Sequence, residues 1–328
     1  MPLQPKIDIT SVWHIAIATS AIEKNVERCW KDLGIGPWQF LTINSTERDT
    51  SVYGKQVSLD VTAAVTQVGF LTFGFDQPTT KPNPFEEILN KRGGGGAHHL
   101  ALSVEDREYA RKQMRSLGYR EILAVDGIGP NGDGQATYFD TVEDMGTVIE
   151  LSKLPSQMPE IDNVYPTGDE VKHTSNIRVR ETVHAAIAVH DVEKTARHYE
   201  DVFGMGPAKI FTFEAPANCR GKEIKFAAKA ALIQTGNFVL KLVQPLSKPN
   251  PLQDFLDKNG QGIHHFAFAV DDVRRSSEEM RRLGHAEVIS VYNFGPNRDG
   301  DSAYFDTEST LGIVIELVKP PTGVSGWI

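Results

Sequence analysis

The chain contains 328 residues, 40% of them hydrophobic and 23% charged, which predicts a globular protein of more than one domain. A formal net charge of −9 argues against the basic surface that nucleic-acid binding requires, and two cysteines are too few for a disulfide scaffold. No segment reaches the ~20 apolar residues of a membrane span, and the N-terminal residues do not resemble a signal peptide. We therefore expect a cytoplasmic protein that binds neither nucleic acid nor membranes.

The two halves of the chain repeat the same motifs in the same order, at offsets of 166 to 170 residues. A repeat of this kind indicates a tandem duplication. The matching segments are His14–Ala18 and His184–Ala188, Lys81–Pro84 and Lys248–Pro251, His98–Ala101 and His264–Ala267, Gly129–Gly134 and Gly295–Gly300, Tyr138–Thr141 and Tyr304–Thr307, and Val148–Leu151 and Val314–Leu317.

Each half is in turn internally doubled, since a short strand led by a histidine is twice followed by an amphipathic helix. The first helix places Ile22, Val26 and Leu33 on one face and ends near Gly34. β-rich runs with Gly, Asn and Asp turns follow each helix. The pattern predicts four units, each of one strand, one helix and about three further strands.

Residues 156–177 have no counterpart in the other half and carry Pro159, Pro166 and Gly168 among polar residues. We interpret them as a linker between a first domain, residues 9–155, and a second domain, residues 178–322.

Two sets of candidate metal ligands lie on short apolar strands. The sets are His14, His99 and Glu150 in the first half, and His184, His265 and Glu316 in the second. An ionised glutamate among apolar residues is costly to bury without a partner, and a cation supplies one. Histidine and carboxylate side chains suit Zn, Fe, Ni, Co or Mn ions. Two histidines from paired strands and a glutamate from a third can converge inside a curved sheet, so we predict a divalent metal site in each half.

These motifs resemble the vicinal oxygen chelate superfamily, which includes glyoxalase I, methylmalonyl-CoA epimerase, extradiol ring-cleaving dioxygenases and bleomycin-resistance proteins. Residues 248–273, from Lys-Pro-Asn-Pro-Leu through Gly-Ile-His-His-Phe-Ala to Asp-Asp-Val, are most similar to methylmalonyl-CoA epimerases. The resemblance implies an α+β fold, in which four βαβββ units form two cup-shaped, mostly antiparallel sheets, each around one divalent ion.

The resemblance also assigns roles to the histidines. It implies that the two sets are metal ligands, with His99 and His265 favoured over His98 and His264, which we interpret as supporting or packing residues. Because single-domain relatives commonly pair, we expect the two domains to pack as an intramolecular pseudo-dimer. A further homodimer is left open.

The fourth ligand position departs from the pattern of that superfamily. Relatives place Glu or Gln a few residues before a Gln-Pro pair, where this chain has Gly74 in the first half and Lys241 in the second. Glycine has no ligating side chain, and a cationic lysine opposes a metal unless burial lowers its pKa. Asp76 shares the strand face of Gly74 and is an alternative ligand. We therefore expect the first domain to hold the more competent metal site.

The resemblance implies that the metal chelates neighbouring oxygens of a small carbonyl substrate, and that the enzyme transfers a proton by way of an enolate, as an epimerase, isomerase or lyase. Glu150, Glu316 and Lys241 are the candidate bases. The alternative is an Fe(II)-dependent extradiol ring-cleaving dioxygenase, because two histidines and one carboxylate form the facial triad of non-heme iron oxygenases. A drug-sequestering binding protein is less favoured, since such relatives lack metal ligands.

Overall fold

The order of the elements follows the predicted repeat of one strand, one helix and about three strands, except that the described residues form five strands after the first helix and four helices beyond those predicted. The structure, a computed structural model, describes residues 6–44, 49–168, 175–236 and 238–323. The elements of the first domain are β1 (Ile9–Thr19), α1 (Ile22–Arg28, continued by a π-helical turn at Cys29–Leu33), β2 (Trp38–Ile43), β3 (Thr50–Val52), β4 (Lys55–Gln56), β5 (Val61–Val68), β6 (Leu71–Pro78), α2 (Glu86–Lys91), β7 (Gly95–Val104), α3 (Arg107–Ser116), β8 (Arg120–Ile128), β9 (Gly134–Asp140), α4 (Val142–Met145) and β10 (Val148–Lys153).

The second domain repeats this order with longer strands after its first helix. A short strand, β11 (Asn163–Tyr165), lies in the linker. The elements that follow are β12 (Thr182–Ala188), α5 (Val192–Phe203), β13 (Lys209–Cys219), β14 (Lys222–Thr235), β15 (Phe238–Pro245), α6 (Pro251–Asn259), β16 (Gly262–Ala269), α7 (Val273–Arg282), β17 (Ala286–Phe294), β18 (Gly300–Asp306), α8 (Glu308–Leu311) and β19 (Val314–Lys319).

The helices begin and end at residues suited to those positions. Asp106, Asp191 and Asp272 each cap a helix by accepting a hydrogen bond from the backbone N–H three residues later. The first helix ends at Gly34, whose φ of 67° is a left-handed conformation that glycine adopts without strain. The structure thus confirms the predicted end of this helix.

The two sheets differ in closure. The first is an open sheet of eleven strands in the order β11-β2-β5-β6-β1-β7-β10-β9-β8-β3-β4, and the second is a closed barrel in the order β12-β15-β14-β13-β17-β18-β19-β16. In the second domain β13 is continuous for 11 residues, and its end closes the barrel by pairing Asn218 with Ser290. In the first domain β2 pairs with β5 and β11, whereas β3 pairs with β4 and β8. The predicted α+β fold is confirmed, and among the described residues the first cup is open and the second is closed.

One of the three buried hydrophobic clusters that the described residues form contains residues of both domains. The rings of Phe73 and Phe266, one from each domain, have centroids 5.3 Å apart within it. The Tyr199 hydroxyl donates a hydrogen bond of 2.9 Å to the backbone carbonyl of Met145 in the other domain. These buried contacts show that the two domains pack against each other, as the expected intramolecular pseudo-dimer requires.

The segment that follows β10, which we call the strap (residues 154–165), is folded onto the first domain. Its strand β11 pairs antiparallel with β2. The Ser156 backbone N–H donates to the Asp133 carboxylate at 3.2 Å, and the Asn131 amide donates to the Ser156 hydroxyl at 3.0 Å. The Gly-Pro-Asn-x-Asp-Gly turn of the first domain therefore anchors the strap. Part of the predicted linker, residues 169–174, lies outside the described residues.

Within the part of the chain that the structure describes, no helix has both the length and the apolar character needed to cross a membrane.

Candidate metal centres

The first triad is assembled by the register of three adjacent strands. Ala101 of β7 pairs with His14 of β1 on one side and with Glu150 of β10 on the other. His99 lies two residues before Ala101, so its side chain points to the same face. His99 Nε2 is 3.0 Å from both His14 Nε2 and Glu150 Oε2, and His14 Nε2 is 3.7 Å from that oxygen. The three predicted ligands therefore converge on one point.

The second triad repeats this register. Ala267 of β16 pairs with His184 of β12 and with Glu316 of β19, and His265 lies two residues before Ala267. Glu316 Oε2 is 3.1 Å from His184 Nε2 and 3.2 Å from His265 Nε2. In each triad the three ligand atoms lie within 4.8 Å of one another.

The glutamates carry a buried oxygen that a cation would satisfy. Ser152 donates a hydrogen bond to Glu150 Oε1, and Ser302 donates one of 2.6 Å to Glu316 Oε1. The other oxygen of each glutamate, Oε2, is buried and has no hydrogen-bond partner among the described residues. Such an oxygen is costly unless it is paired. A divalent ion between Oε2 and the two Nε2 atoms would contact all three, so the residues present fit a metal.

Burial also sets the protonation states that metal binding needs. It lowers the pKa of His14 to about 4 and that of His184 to about 3, so both imidazoles are neutral at pH 7 and keep a lone pair. Burial raises the pKa of a carboxyl group, but His99 and His14 outweigh it and hold the pKa of Glu150 at about 2. Neutral imidazoles and an ionised carboxylate are the forms that bind transition-metal ions.

The histidines next to the candidate ligands contact them but lie outside both clusters. His98 Nδ1 lies 3.1 Å from His99 Nδ1, and His264 Nδ1 lies 2.7 Å from His265 Nδ1. Neither His98 nor His264 belongs to a ligand cluster. This agrees with their interpretation as supporting or packing residues.

Two tyrosines that were not among the predicted site residues also lie beside the triads. The rings of Tyr138 and Tyr304 stand edge-on to His99 and His265, each with centroids 4.9 Å apart. Their recurrence in the repeated Tyr-Phe-Asp-Thr motif was the signal that could have identified them.

The fourth ligand position is occupied differently in the two domains. Gly74 pairs with Ala16 on the cup face of the first sheet, and Lys241 pairs with Ala186 at the equivalent place in the second. A Cβ at Gly74 would lie 3.0 Å from the carbonyl oxygen of Ala64, so the close packing of the strands favours glycine. In the second domain Lys241 is buried, and its Nζ lies 3.5 Å from His184 Nε2.

Asp76 lies on the wall of the first cup and outside its ligand cluster. It pairs with Ala18, two residues along β6 from Gly74, and lines the same cavity as His14 and Glu150. It does not join the group whose ligand atoms lie within 4.8 Å of one another. A ligand role for Asp76 therefore stays a prediction.

The two cups enclose very different volumes. The cavity of the first cup is about 240 Å³, has mainly apolar walls, and is partly covered by Leu154, Met158 and Ile161 of the strap. That of the second barrel is about 50 Å³ and is enclosed by aromatic rings and Lys241. A small organic molecule fits the first cavity, whereas the second has room for only a few water molecules.

The sequence resembles proteins of one superfamily in both halves. The model of the Glyoxalase/Bleomycin resistance protein/Dioxygenase superfamily matches residues 13–139 and 183–305. The uncharacterized protein YqjC of Bacillus subtilis is 29% identical over 140 residues, which is 42% of this chain and 90% of that protein. The mitochondrial methylmalonyl-CoA epimerase of Mus musculus is 29% identical over 100 residues, which is 30% of this chain and 51% of that protein.

A solved structure resembles the chain over nearly its whole length. A mutant of 4-hydroxymandelate synthase from Streptomyces coelicolor matches with a TM-score of 0.58 at 15% identity, covering 96% of this chain and 94% of that one. At this identity the likeness concerns the fold.

Proposed function

Because this chain belongs to the glyoxalase/bleomycin resistance/dioxygenase superfamily, we propose that it is a divalent-metal-dependent enzyme that transfers a proton next to a carbonyl group of a small substrate. It would act as an epimerase, isomerase or lyase. The observation that carries the proposal is the cavity of about 240 Å³ in the first cup, which is lined by His14 and Glu150 and so reaches the buried triad. A metal ion held there would supply Lewis-acid stabilisation for neighbouring oxygens of the substrate.

In this proposal the chain's own residues hold the metal and shape the pocket. His14, His99 and Glu150 are the ligands, and Ser152 fixes the orientation of the Glu150 carboxylate. The low pKa of Glu150 favours its role as a ligand over that of a base. The base roles suggested for Glu150, Glu316 and Lys241 stay predictions.

The cavity walls indicate the kind of substrate. Most of the lining residues are apolar, among them Val61, Val125 and Phe85, while Lys153 lies exposed at the mouth. We therefore propose a substrate with a chelating head of two neighbouring oxygens and an apolar body. The strap would exclude water from the bound substrate.

Elemental analysis of purified protein tests the metal assignment. We expect Zn, Fe, Ni, Co or Mn in the wild type, loss of the first-domain metal in His99→Ala, and loss of any second-domain metal in His265→Ala. The exposed His190→Ala is the matched control. Metal content that is unchanged in the double variant His99→Ala, His265→Ala would show that the assignment is wrong.

Solvent exchange tests the reaction class. Methylmalonyl-CoA, the substrate named for the mouse relative, is incubated with the enzyme in D₂O, and loss of its C2 proton signal is followed by NMR. Exchange that depends on His99 supports proton transfer, and its absence with this substrate and with small 2-oxo acids contradicts it.

A second function, an Fe(II)-dependent extradiol dioxygenase, is favoured by one observation. Each described cluster contains two histidines and one glutamate and no fourth protein ligand, as in the facial triad of non-heme iron oxygenases. Anaerobic loading with Fe(II), followed by catechol and oxygen, would give a yellow cleavage product if this reading holds. A protein that binds no metal would instead favour a sequestering function.

A further inference from the structure

The cavity of the first cup contains few groups that can accept a proton. The titratable side chains that line it are His14, Asp76, Tyr138, Glu150 and Lys153. His14 and Glu150 belong to the metal-binding triad. The ring of Tyr138 stands edge-on to the candidate ligand His99, and a phenol, with an ordinary pKa of ~10, is a poor proton acceptor near neutral pH. Lys153 lies exposed at the mouth of the cavity. By elimination, Asp76 is the base that remains.

The Asp76 carboxylate faces the cavity without a partner among the described residues, as expected for a group that contacts a bound substrate. Its carboxylate is half-buried in the cavity wall, and no described residue donates a hydrogen bond to it or pairs with it as a cation. By contrast, the Glu121 carboxylate of the same domain accepts two hydrogen bonds from Arg111. A half-buried carboxylate without a partner is costly, which suggests a functional reason for keeping it.

The second domain shows that the fold itself does not require this carboxylate. Asp76 pairs with Ala18, and the residue that pairs with the equivalent Ala188 is Val243. The open cup with the large cavity therefore has the acid, and the closed barrel with the small cavity has a valine. The carboxylate is therefore present in the domain whose cavity can hold a substrate and absent from the equivalent position of the other.

We propose that Asp76 is the catalytic base of the first domain, taking a proton from the substrate, and is not a fourth metal ligand; this rests on the proposed function of the first metal centre. In the step, the C–H bond next to the substrate carbonyl breaks, its electron pair stays on the substrate as an enolate, and the proton binds a carboxylate oxygen of Asp76. Return of the proton to carbon reverses these changes. Burial raises the pKa of Asp76 to about 6, which makes it a stronger base than an exposed aspartate and still leaves it mostly ionised at pH 7.5.

The test uses benzohydroxamate, a chelator with two neighbouring oxygens and an apolar ring, which loses its N–OH proton when it chelates. Co²⁺-loaded protein is titrated by calorimetry at pH 7.5 in two buffers of different ionisation enthalpy, which counts the protons released. In the wild type we expect Asp76 to hold this proton in a hydrogen bond to the bound hydroxamate oxygen, which raises the pKa of the carboxyl group above the pH of the titration, so release to the buffer should be near zero. In Asp76→Asn it should rise to about one proton per site, with weaker binding, while metal content is unchanged. Asp257→Asn, at an exposed position, is the matched control. Asp76→Ser is a second variant to be used if Asp76→Asn does not fold.

Two results would overturn the proposal while leaving the metal centre intact. Loss of cobalt from Asp76→Asn would show that Asp76 is a ligand. An unchanged proton count with unchanged affinity would show that Asp76 does not accept the proton. A wild type that takes up no metal in the first domain contradicts the proposed function itself, so the two failures are distinguishable.

Discussion

Lys241 Nζ lies 3.5 Å from His184 Nε2, at the sheet position that Gly74 occupies in the other domain. A divalent ion in the second triad would lie within a few ångströms of this ammonium group. At an effective dielectric of ~20, two unit charges 4 Å apart repel by about 4 kcal/mol, and a divalent ion roughly doubles that value. Burial lowers the pKa of Lys241, whereas the negative charge of Glu316 raises it. Lys241 in turn lowers the pKa of Glu316. A protonated Lys241 can therefore compensate the buried charge of Glu316 in place of a metal ion.

We therefore expect Lys241→Gln to increase the metal content from about one to about two ions per chain, because the competing charge is removed. Elemental analysis and turnover are measured together, with the exposed Lys225→Gln as control. More metal with unchanged turnover means that the lysine silences the second site, and lost turnover means that it is catalytic. If neither changes, the electrostatic argument is wrong.

Ser152 and Ser302 donate hydrogen bonds to Glu150 and Glu316, so matched changes at these serines test which domain holds the functional metal. Ser152→Ala leaves Glu150 Oε1 without its donor, and loss of such a support typically lowers metal affinity by ~10- to 100-fold. We expect Ser152→Ala to reduce metal affinity and activity, whereas Ser302→Ala, the same change in the second domain, leaves both near the wild-type values. Competition with a fluorescent chelator measures the affinity. Equal effects of the two changes would contradict a functional difference between the domains.

The sequence was sufficient to predict which histidines and glutamates converge, because the repeat indicates the set of three twice. His99 precedes Glu150 by the same number of residues as His265 precedes Glu316, and one common register brings both sets together. The closure of the second barrel was not predictable in the same way. It depends on pairing Asn218 with Ser290, residues far apart in the chain whose local sequences contain no information about each other.

The sequence also did not predict that the strap packs on the first domain, and the physical reason is related. Its strand is only three residues long, Asn163–Tyr165, and follows a proline-containing segment without periodicity, so local propensity does not identify it. It is a strand because the edge of β2 offers it backbone partners. The turn that anchors the strap is recognisable in the sequence as a repeated motif. The sequence does not indicate that this turn contacts the strap.

The close packing of the turn against the strap predicts how glycine substitutions in this turn change the free energy of unfolding. Gly129 has a φ of +84°, and a Cβ there would lie 2.6 Å from the backbone oxygen of Gln157 and 2.7 Å from Pro155. Gly132 in the same turn also has a positive φ, but a Cβ there would meet nothing within 4 Å. Both alanine substitutions incur the left-handed backbone cost, and Gly129→Ala should cost roughly 1–3 kcal/mol more, because the strap must move.

Urea unfolding measures this difference, and limited proteolysis within residues 154–161 reports whether the strap has loosened. We expect faster cleavage in Gly129→Ala than in Gly132→Ala, together with weaker binding of an apolar chelator in the cup. Equal stability and equal cleavage in the two variants would show that the turn does not hold the strap.

The last prediction concerns the pH dependence of stability in the metal-free protein. Burial raises the pKa of Asp76 from 3.8 to about 6. Below pH 3.8 the group is protonated in the native and the unfolded states, and it does not affect their balance. Between pH 3.8 and 6 the unfolded state loses the proton first, so the native state binds more protons and its stability falls as the pH rises. Above pH 6 the loss is complete, and two pKa units correspond to about 3 kcal/mol.

Asp76→Asn removes this titration, since the amide stays neutral at every pH. At pH 7.5 the variant should therefore be more stable than the wild type by up to about 3 kcal/mol, and at pH 3.5 the two should be nearly equal. Denaturant unfolding of chelator-treated protein at both pH values measures the difference, with Asp257→Asn as the exposed control. A gain in stability at pH 7.5 accompanied by loss of function is what a carboxylate retained for catalysis predicts. A variant that is less stable than the wild type at pH 7.5 would instead mean that the Asp76 carboxylate stabilises the fold, and the case for it as a base would fail with it.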